Sequence, residues 1–503
     1  MESLAKRYKF KLFSNMISLL AGGIVTYFIP KALGPAMYGN FNFITSFFSN
    51  LLSFFQFGTS NAFYTKLSKN QKDNKLIRFY FGFILITFLL CFLVVQTTYL
   101  LDKNSIVWPE INSKLVYAGL LFSILTFVVA TVKNINDAIG ITSFSEKVIV
   151  IQRLSGLIFI LTLYYYSRIN VWTFFLYHYL MLLFVLIIWI RMLIKSGINP
   201  WIKKLYKHDL KKYTKEFYIY SSPLILMSFV TLIVNIGDRW LLQTYSGSVE
   251  QGYFSFANQI SVLCFIFSSA MTPLLMREFT VAYGNKNFKL IAELFKKNIP
   301  LLYFIGAFIS IYVAFNKEII IYAIAGDEYL DGSIAFMLMA FYPIQQSYGQ
   351  LSGALFFATD QTKLYTNIGI SVSVIGLITT FFLISPKSTG GLDLGSTGLA
   401  IKFLLIQFLG VTIGLYYNTK YLKLSFIKFM GHKFLVVIIL SFFAYSINYI
   451  TSIYFTNIYF QFLFSGLIYS FTTLLFIFIY PRIIVQNRNG LINFVKPLIK
   501  LIK

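Results

Sequence analysis

Apolar runs of about twenty residues recur along the chain, separated by short polar or basic stretches. Residues 79–101 and 176–194 are two of them, and neither alternates between polar and apolar positions. Strands of a membrane barrel would alternate over about ten residues, whereas about twenty apolar residues match a helix crossing the bilayer. In hydrocarbon every backbone N–H and C=O must be bonded internally, which a helix does by itself. The pattern therefore predicts helices near 12–31, 41–63, 77–101, 115–135, 148–166, 171–194, 218–243, 253–276, 298–316, 333–357, 364–384, 397–417, 434–451 and 458–481. The fold class expected is all-α integral membrane, with about fourteen transmembrane helices.

Charge sets the orientation. Only 12% of the 503 residues are charged, with 57% hydrophobic, against about 25% charged in an ordinary soluble chain. The net charge of +25 is not a nucleic-acid footprint, because the basic residues lie between spans instead of in one patch. With the N-terminus in the cytoplasm, 35 of the 43 Lys and Arg fall on inside segments and 6 in outside loops. Short basic loops are retained on the cytoplasmic side, so both termini are expected there, in a multi-pass membrane protein. The basic start from Lys6 to Lys11 leads into a span followed by a second, so no cleaved signal is expected. Residues 195–216 carry Lys203, Lys204, Lys207, Lys211, Lys212 and Lys215. They read either as an amphipathic helix on the anionic inner leaflet or as a charged hinge.

A repeat organises the spans. Gly34-Pro-Ala-Met-Tyr-Gly39-Asn-Phe41-Asn-Phe43 reads as the loop after the first span, and Gly247-Ser-Val-Glu-Gln-Gly252-Tyr-Phe254-Ser-Phe256 as the loop after the seventh. Both fit G-x-x-x-x-G-x-F-x-F at one offset. Ala138 with Gly156-Leu-Ile is echoed by Ala358 with Gly376-Leu-Ile. An even number of spans per copy makes these parallel repeats. The expected plan is a six-helix bundle over 1–194, a basic linker at 195–216, and a second six-helix bundle over 217–419. Transmembrane helices 13 and 14 with a cytoplasmic tail occupy 420–503. Two parallel six-helix bundles would surround a central cavity, and a monomer would contain both walls.

Several chemistries lack their residues. There is no G-x-x-x-x-G-K-S/T loop, no H-E-x-x-H and no cluster among His178, His208 and His432, and no G-x-S-x-G elbow. Neither Cys91 nor Cys264 implies a metal or a disulfide. A non-enzymatic transporter without a bound cofactor remains, with proton or sodium coupling open. Ionised side chains inside spans are costly and mark cavities or partners. Asp238 and Arg239 lie inside the seventh span, and Lys402 inside the twelfth. Lys402 reads as a cavity wall or a residue snorkelling outward. Arg153 begins the fifth span. Gln345, Gln346 and Gln350 lie on the tenth, the last two sharing a face, and bond either to helices or to substrate. Pro30, Pro223, Pro273 and Pro343 are candidate kinks.

Ala32-Leu-Gly-Pro-Ala-Met-Tyr-Gly-Asn-Phe41, Phe57-Gly-Thr-Ser-Asn-Ala-Phe, and Asn235-Ile-Gly-Asp-Arg-Trp-Leu-Leu followed by Gly252-Tyr-Phe-Ser-Phe-Ala257 resemble segments of one family. These are the bacterial polysaccharide flippases, the Wzx-like O-antigen and capsule transporters of the multidrug/oligosaccharidyl-lipid/polysaccharide exporter (MOP) superfamily. The resemblance implies a polyprenyl-pyrophosphate-linked oligosaccharide moved from the cytoplasmic to the outer leaflet. It makes Arg239, Asp238, Lys402, Arg153, Gln346 and Gln350 the candidate substrate contacts. Membrane lipid and, as assembly partners, a polysaccharide polymerase and related proteins come with that reading. Two alternatives remain. A cation-coupled multidrug extruder would have twelve spans and buried acids, whereas here only Asp238 lies well inside a span, against Arg239 and Lys402. A lipid II flippase would have a cationic first helix, whereas Leu12 to Pro30 holds no charge.

Overall fold

In the computed structural model, residues 4–71, 73–198, 205–222 and 225–484 are described, and they form helices with no strand among them. Ten described helices are long and apolar enough to cross a membrane. The chain is an all-α, multi-pass membrane protein. Pro223, Lys203, Lys204 and the expected tail beyond residue 484 lie outside the described residues. The chain divides by packing into two compact units, Met1–Gly252 and Tyr253–Lys503.

The first unit contains α1 (Leu4–Gln56), α2 (Thr59–Lys69), α3 (Asn74–Leu100), α4 (Asn104–Val107), α5 (Ser113–Ala138), α6 (Thr142–Tyr165), α7 (Val171–Lys195), α8 (Lys207–Ser221) and the larger part of α9 (Ile225–Cys264). The first two expected spans share α1, which bends at Gly34 (φ 70°, ψ 167°). The segment read as a loop is helical on both sides of that one residue. Gly247 bends α9 in the same conformation, φ 83° and ψ −179°. A positive φ suits glycine, and Pro35 then starts the following helix at a position where its missing N–H is harmless. The second expected span ends early, because Phe57 and Gly58 both take positive φ and α2 begins anew.

The second glycine of each motif is a point of backbone contact. A Cβ on Gly39 would collide with the Ser248 carbonyl and lie 2.7 Å from Gly252 N; a Cβ on Gly252 would collide with the Pro35 carbonyl. The two copies of the motif thus cross backbone to backbone. The second echo has a similar use. A Cβ on Gly156 would stand 3.0 Å from the Tyr177 hydroxyl.

The described part of the basic linker is docked on protein. Tyr213 and Phe217 of α8 are buried with their rings 5.3 and 5.5 Å from that of Phe79. Lys66 pairs with Glu216 at 2.6 Å and Lys75 with Asp209 at 2.9 Å. The Tyr213 hydroxyl donates to both Asp73 oxygens at 3.1 Å. Its apolar face is therefore taken up by α2 and α3 instead of the leaflet, and Lys207, Lys211, Lys212 and Lys215 point away, exposed.

The second unit contains the end of α9, then α10 (Ile266–Gly284), α11 (Phe288–Phe315), α12 (Lys317–Ile324), α13 (Ser333–Ala358), α14 (Thr362–Ile384), α15 (Gly395–Tyr421), α16 (Phe426–Tyr454) and α17 (Ile458–Ile479). α5 and α13 are both 26 residues and run from Ser to Ala. α13 is central, packed on α10, α11 and α15. Phe295, Tyr348, Leu351, Leu415, Val436 and Leu440 share one core. Pro343 is buried inside α13. The expected span at 253–276 is broken at Phe265 between α9 and α10. α1, α10 and α13 are not among the ten helices above, so these ten do not fix the number at fourteen.

Two predictions follow from this packing. Gly39→Ala should cost roughly 3 kcal/mol or more, because a backbone crossing cannot yield as a side chain can. Gly82→Ala on α3, with nothing within 4 Å, should be neutral or slightly stabilising; thermal midpoints in detergent compare the two. The Lys75 hydrogen bond, then the Tyr206 backbone N–H, hold the Asp209 carboxyl below its ordinary range. A lowered carboxylate supports the folded contact above its ordinary range and ceases to as the pH falls through the lowered value. Amide exchange in α8, corrected for its intrinsic rate, should therefore be flat from pH 8 to 5 and accelerate below about pH 4. At pH 7, Asp209→Asn should accelerate it roughly two- to fivefold, the effect of an exposed pair.

Candidate functional site

In the first unit a polar track runs along α9 toward its bend. Asn235, Arg239 and Gln243 are four residues apart and so lie on one helix face. The Asn235 amide donates to Asn50 Oδ1 at 3.1 Å. The Gln243 amide donates to Asn40 Oδ1 at 2.9 Å and to the Pro109 carbonyl at 3.2 Å. Arg239 lies between these two amides, under the electrostatic influence of Asp238 and Tyr38. Asp238 is 3% exposed. Beside the track, Trp240 Nε1 donates to the Ile106 carbonyl at 2.8 Å. At its end, Glu110 accepts from the Ser248 N–H at 2.8 Å and from its hydroxyl at 2.6 Å. That carboxylate caps the helix that restarts after Gly247, whose first N–H groups have no partner within the helix. Between amides whose N–H groups are engaged by neighbouring segments, the track carries one guanidinium, the group that binds phosphate oxygens in pairs.

The second unit holds a groove of about 360 Å³. Tyr342, Gln346 and Gln350 of α13, Tyr365 and Ser373 of α14, and Gln407 of α15 line it. α13 and α14 both pack on α15 but scarcely on each other, which leaves the groove between them. Gln407 donates to Gln346, and Thr272 of α10 donates to Gln350 Oε1 at 3.2 Å. A Cβ on Gly349 would stand 3.0 Å from Gln407 Nε2, so a glycine there keeps the amide layer in place. Tyrosine rings flanking side-chain amides form a surface that can stack on apolar sugar faces and bond to hydroxyls.

The structure distributes the residues singled out from sequence. Arg239 sits on the first track, with Asp238 buried next to it on α9; Gln346 and Gln350 line the groove. Lys402 is buried instead of snorkelling, 4% exposed. Its Nζ is 4.7 Å from the Phe403 ring centre, and its Cε would stand 3.1 Å from a Cβ on Gly376. It lies one helical turn from Ile406, a groove residue, and Phe403 meets Tyr342 at 5.8 Å. Arg153 is exposed on α6 and acts electrostatically on Tyr177 and His178 of α7.

Sequence reading passed over Gln407, Tyr342 and Tyr365. Gln407 interrupts the apolar run 397–417 as Gln346 interrupts its own, so the signal was present. It also passed over Lys433, counted among cytoplasmic charges. Lys433 is 2% exposed and lies on the buried stripe of α16 with Phe429, Val436 and Leu440. Its Nζ stands 5.1 Å from the Tyr348 ring centre and 5.2 Å from that of Phe408, and makes no hydrogen bond among the described residues. The spacing 429, 433, 436, 440 was the available clue.

The described helices form a multi-pass membrane protein whose polar groups lie along a track in the first unit and a groove in the second. The sequence matches the family described as polysaccharide biosynthesis protein over residues 9–277, and the protein belongs to that family. The resemblance to polysaccharide flippases read from the motifs is borne out at this level. Among solved structures, the lipid II flippase MurJ in an inward closed conformation is similar with a TM-score of 0.67 at 16% identity, covering 94% of this chain and 98% of its own. The MATE multidrug transporter DinF-BH aligns with a TM-score of 0.54 at 14% identity, over 82% and 94% of the two chains. An inward-facing multidrug resistance MATE family transporter of the MOP superfamily gives 0.52 at 15%, over 84% and 99%. At these identities the likeness is one of fold. No curated protein sequence matches the chain.

Lys433 generates a prediction. Two cation–π contacts contribute up to about 2 kcal/mol each when desolvated, while burying an ammonium costs several. Lys433→Met keeps the stem's volume and removes the charge, so the thermal midpoint in detergent should hold or rise. Lys433→Ala, which also removes the packed stem, should lower it.

Proposed function

We propose that this transporter is a flippase for polyprenyl-pyrophosphate-linked oligosaccharide repeat units. It carries them by alternating access from the cytoplasmic to the outer leaflet of a bacterial inner membrane, for surface polysaccharide biosynthesis. The observation that carries the reading is the sign and setting of the polar groups inside the spans. Arg239 stands in a row of amides, and Lys402 lies one turn from a groove of glutamines and tyrosines. Guanidinium and ammonium groups suit a pyrophosphate; amides beside aromatic rings suit sugars. Membership of a polysaccharide biosynthesis family supports the same substrate class. A cation-exporting pump relies on acids inside its spans, whereas here Asp238 stands beside Arg239 and Lys402 adds a second cation, and a cationic first span suited to lipid II is missing between Leu12 and Pro30. In this reading the bundles at 1–194 and 217–419, joined by the linker at 195–216, are the two halves that alternate. The basic segments then face the cytoplasm, with both termini.

Deleting the gene should make a polyprenyl-pyrophosphate oligosaccharide accumulate, seen by mass spectrometry of extracted lipids. An impermeant sugar-cleaving enzyme should fail to reach it in intact cells. Sensitivity to cationic drugs with no such lipid would replace this reading with drug export. In complemented cells, Arg239→Ala and Lys402→Ala should each lower export about tenfold or more at normal protein abundance, the loss of a charged hydrogen bond. Wild-type export would remove that residue from the site.

A further inference from the structure

The second unit has a cavity of about 320 Å³ where α11, α16 and the turn after α17 meet. Lys296 of α11 and Lys428 of α16 supply its charge. Pro300, Phe429, Leu435 and Ile484 supply an apolar floor, and Tyr480 stands at the edge. No carboxylate is among the described lining residues. Glu293, three residues before Lys296, does not line it. His432 fixes the wall, since its Nε2 lies 2.8 Å from the Ile483 carbonyl and must donate to it. That bond ties the turn Pro481–Ile483 to α16 and buries Ile483 to 1% exposure.

Each cation lies at the end of a long apolar run. Lys296 precedes the run 298–316, Lys428 precedes 434–451, and Tyr480 ends 458–481. The cavity therefore sits at headgroup depth, with three apolar runs beneath it. Two lysines at a mixed apolar and aromatic pocket are complementary to a phosphodiester that carries hydrocarbon. The volume is at the lower end of ligand clefts, enough for a headgroup and the first carbons of its tails. Tyr480, 42% exposed, places a hydroxyl at the polar edge, as tyrosines at membrane interfaces do.

We propose that this cavity is a binding site for the phosphodiester headgroup of an anionic phospholipid, held by Lys296 and Lys428 and separate from the transported substrate. It fixes α16 and the turn after α17 to α11 on the leaflet facing those helix ends. Occupancy is independent of transport, so the inference stands or falls apart from the flippase reading.

The test is native mass spectrometry of the purified full chain, titrated with phosphatidylglycerol or with phosphatidylcholine. Wild type should retain one phosphatidylglycerol with at least tenfold preference, and Lys296→Gln/Lys428→Gln should lose that preference. Lys296→Arg/Lys428→Arg should keep it. Should the neutral pair fail to fold, Leu435→Trp fills the cavity without changing charge and should lose the bound lipid instead. Equal retention of the two lipids overturns the proposal, as does unchanged phosphatidylglycerol retention in the neutral or the filled variant. Inorganic phosphate raising the thermal midpoint where phosphatidylglycerol does not would assign the cavity to the free anion, and would equally overturn the lipid site.

Discussion

At the crossing of α1 and α9, two backbones touch with no side chain between them. Gly39 lies on Ser248 and Gly252 on Pro35, at a distance that any Cβ would prevent. Helices in lipid gain little from burying apolar surface against each other, so close approach and polar bonds between helices decide where they meet. Once the backbones meet there, the rest of the helix pair has one register. Asn40 comes to Gln243 and Asn50 to Asn235, and Glu110 reaches the restarted helix at Ser248. Arg239 is placed between two anchored amides because the residues four before and four after it are already held.

The glycines that carry this contact were visible in the sequence as a repeat, but their use was not. A motif of two glycines five apart between apolar runs reads as a loop, because loops are where glycines usually collect. Here one glycine supplies a positive φ within an otherwise continuous helix and the other supplies absence of a side chain. Length and apolarity located the helices well, since each must satisfy its own backbone. They could not locate the breaks at Phe57 or Phe265, where hydrophobicity continues while the helix does not.

The candidate site was legible where a polar residue interrupts an apolar run, as at Arg239, Lys402, Gln346 and Gln350. It was illegible where the informative residue was aromatic or stood at a run's edge. Tyr342 and Tyr365 are two among 35 tyrosines, and only the gap between α13 and α14 makes them groove residues. Lys433 stands next to the expected cytoplasmic end of its helix, where a lysine is ordinary. Its burial follows from helix phase, because it shares a stripe with Phe429 and Val436 that packs into the core.

The repeat also limits what the two copies can share. Gly156 and Gly376 occupy matching positions and each clears space for a neighbouring helix, but a tyrosine hydroxyl fills the first space and a lysine stem the second. A glycine thus stands at both positions while the group that fills the space differs. The first unit sets a guanidinium among amides, and the second sets neutral amides among rings, with an ammonium one turn away. Under the proposed function these suit different parts of one amphiphile. A pyrophosphate needs fixed positive charge because its desolvation is costly without a counterion, whereas sugars need many neutral donors and acceptors and some flat apolar surface. Under that reading each half of the chain serves one part of the substrate, and a few helix-facing positions are enough to set which part.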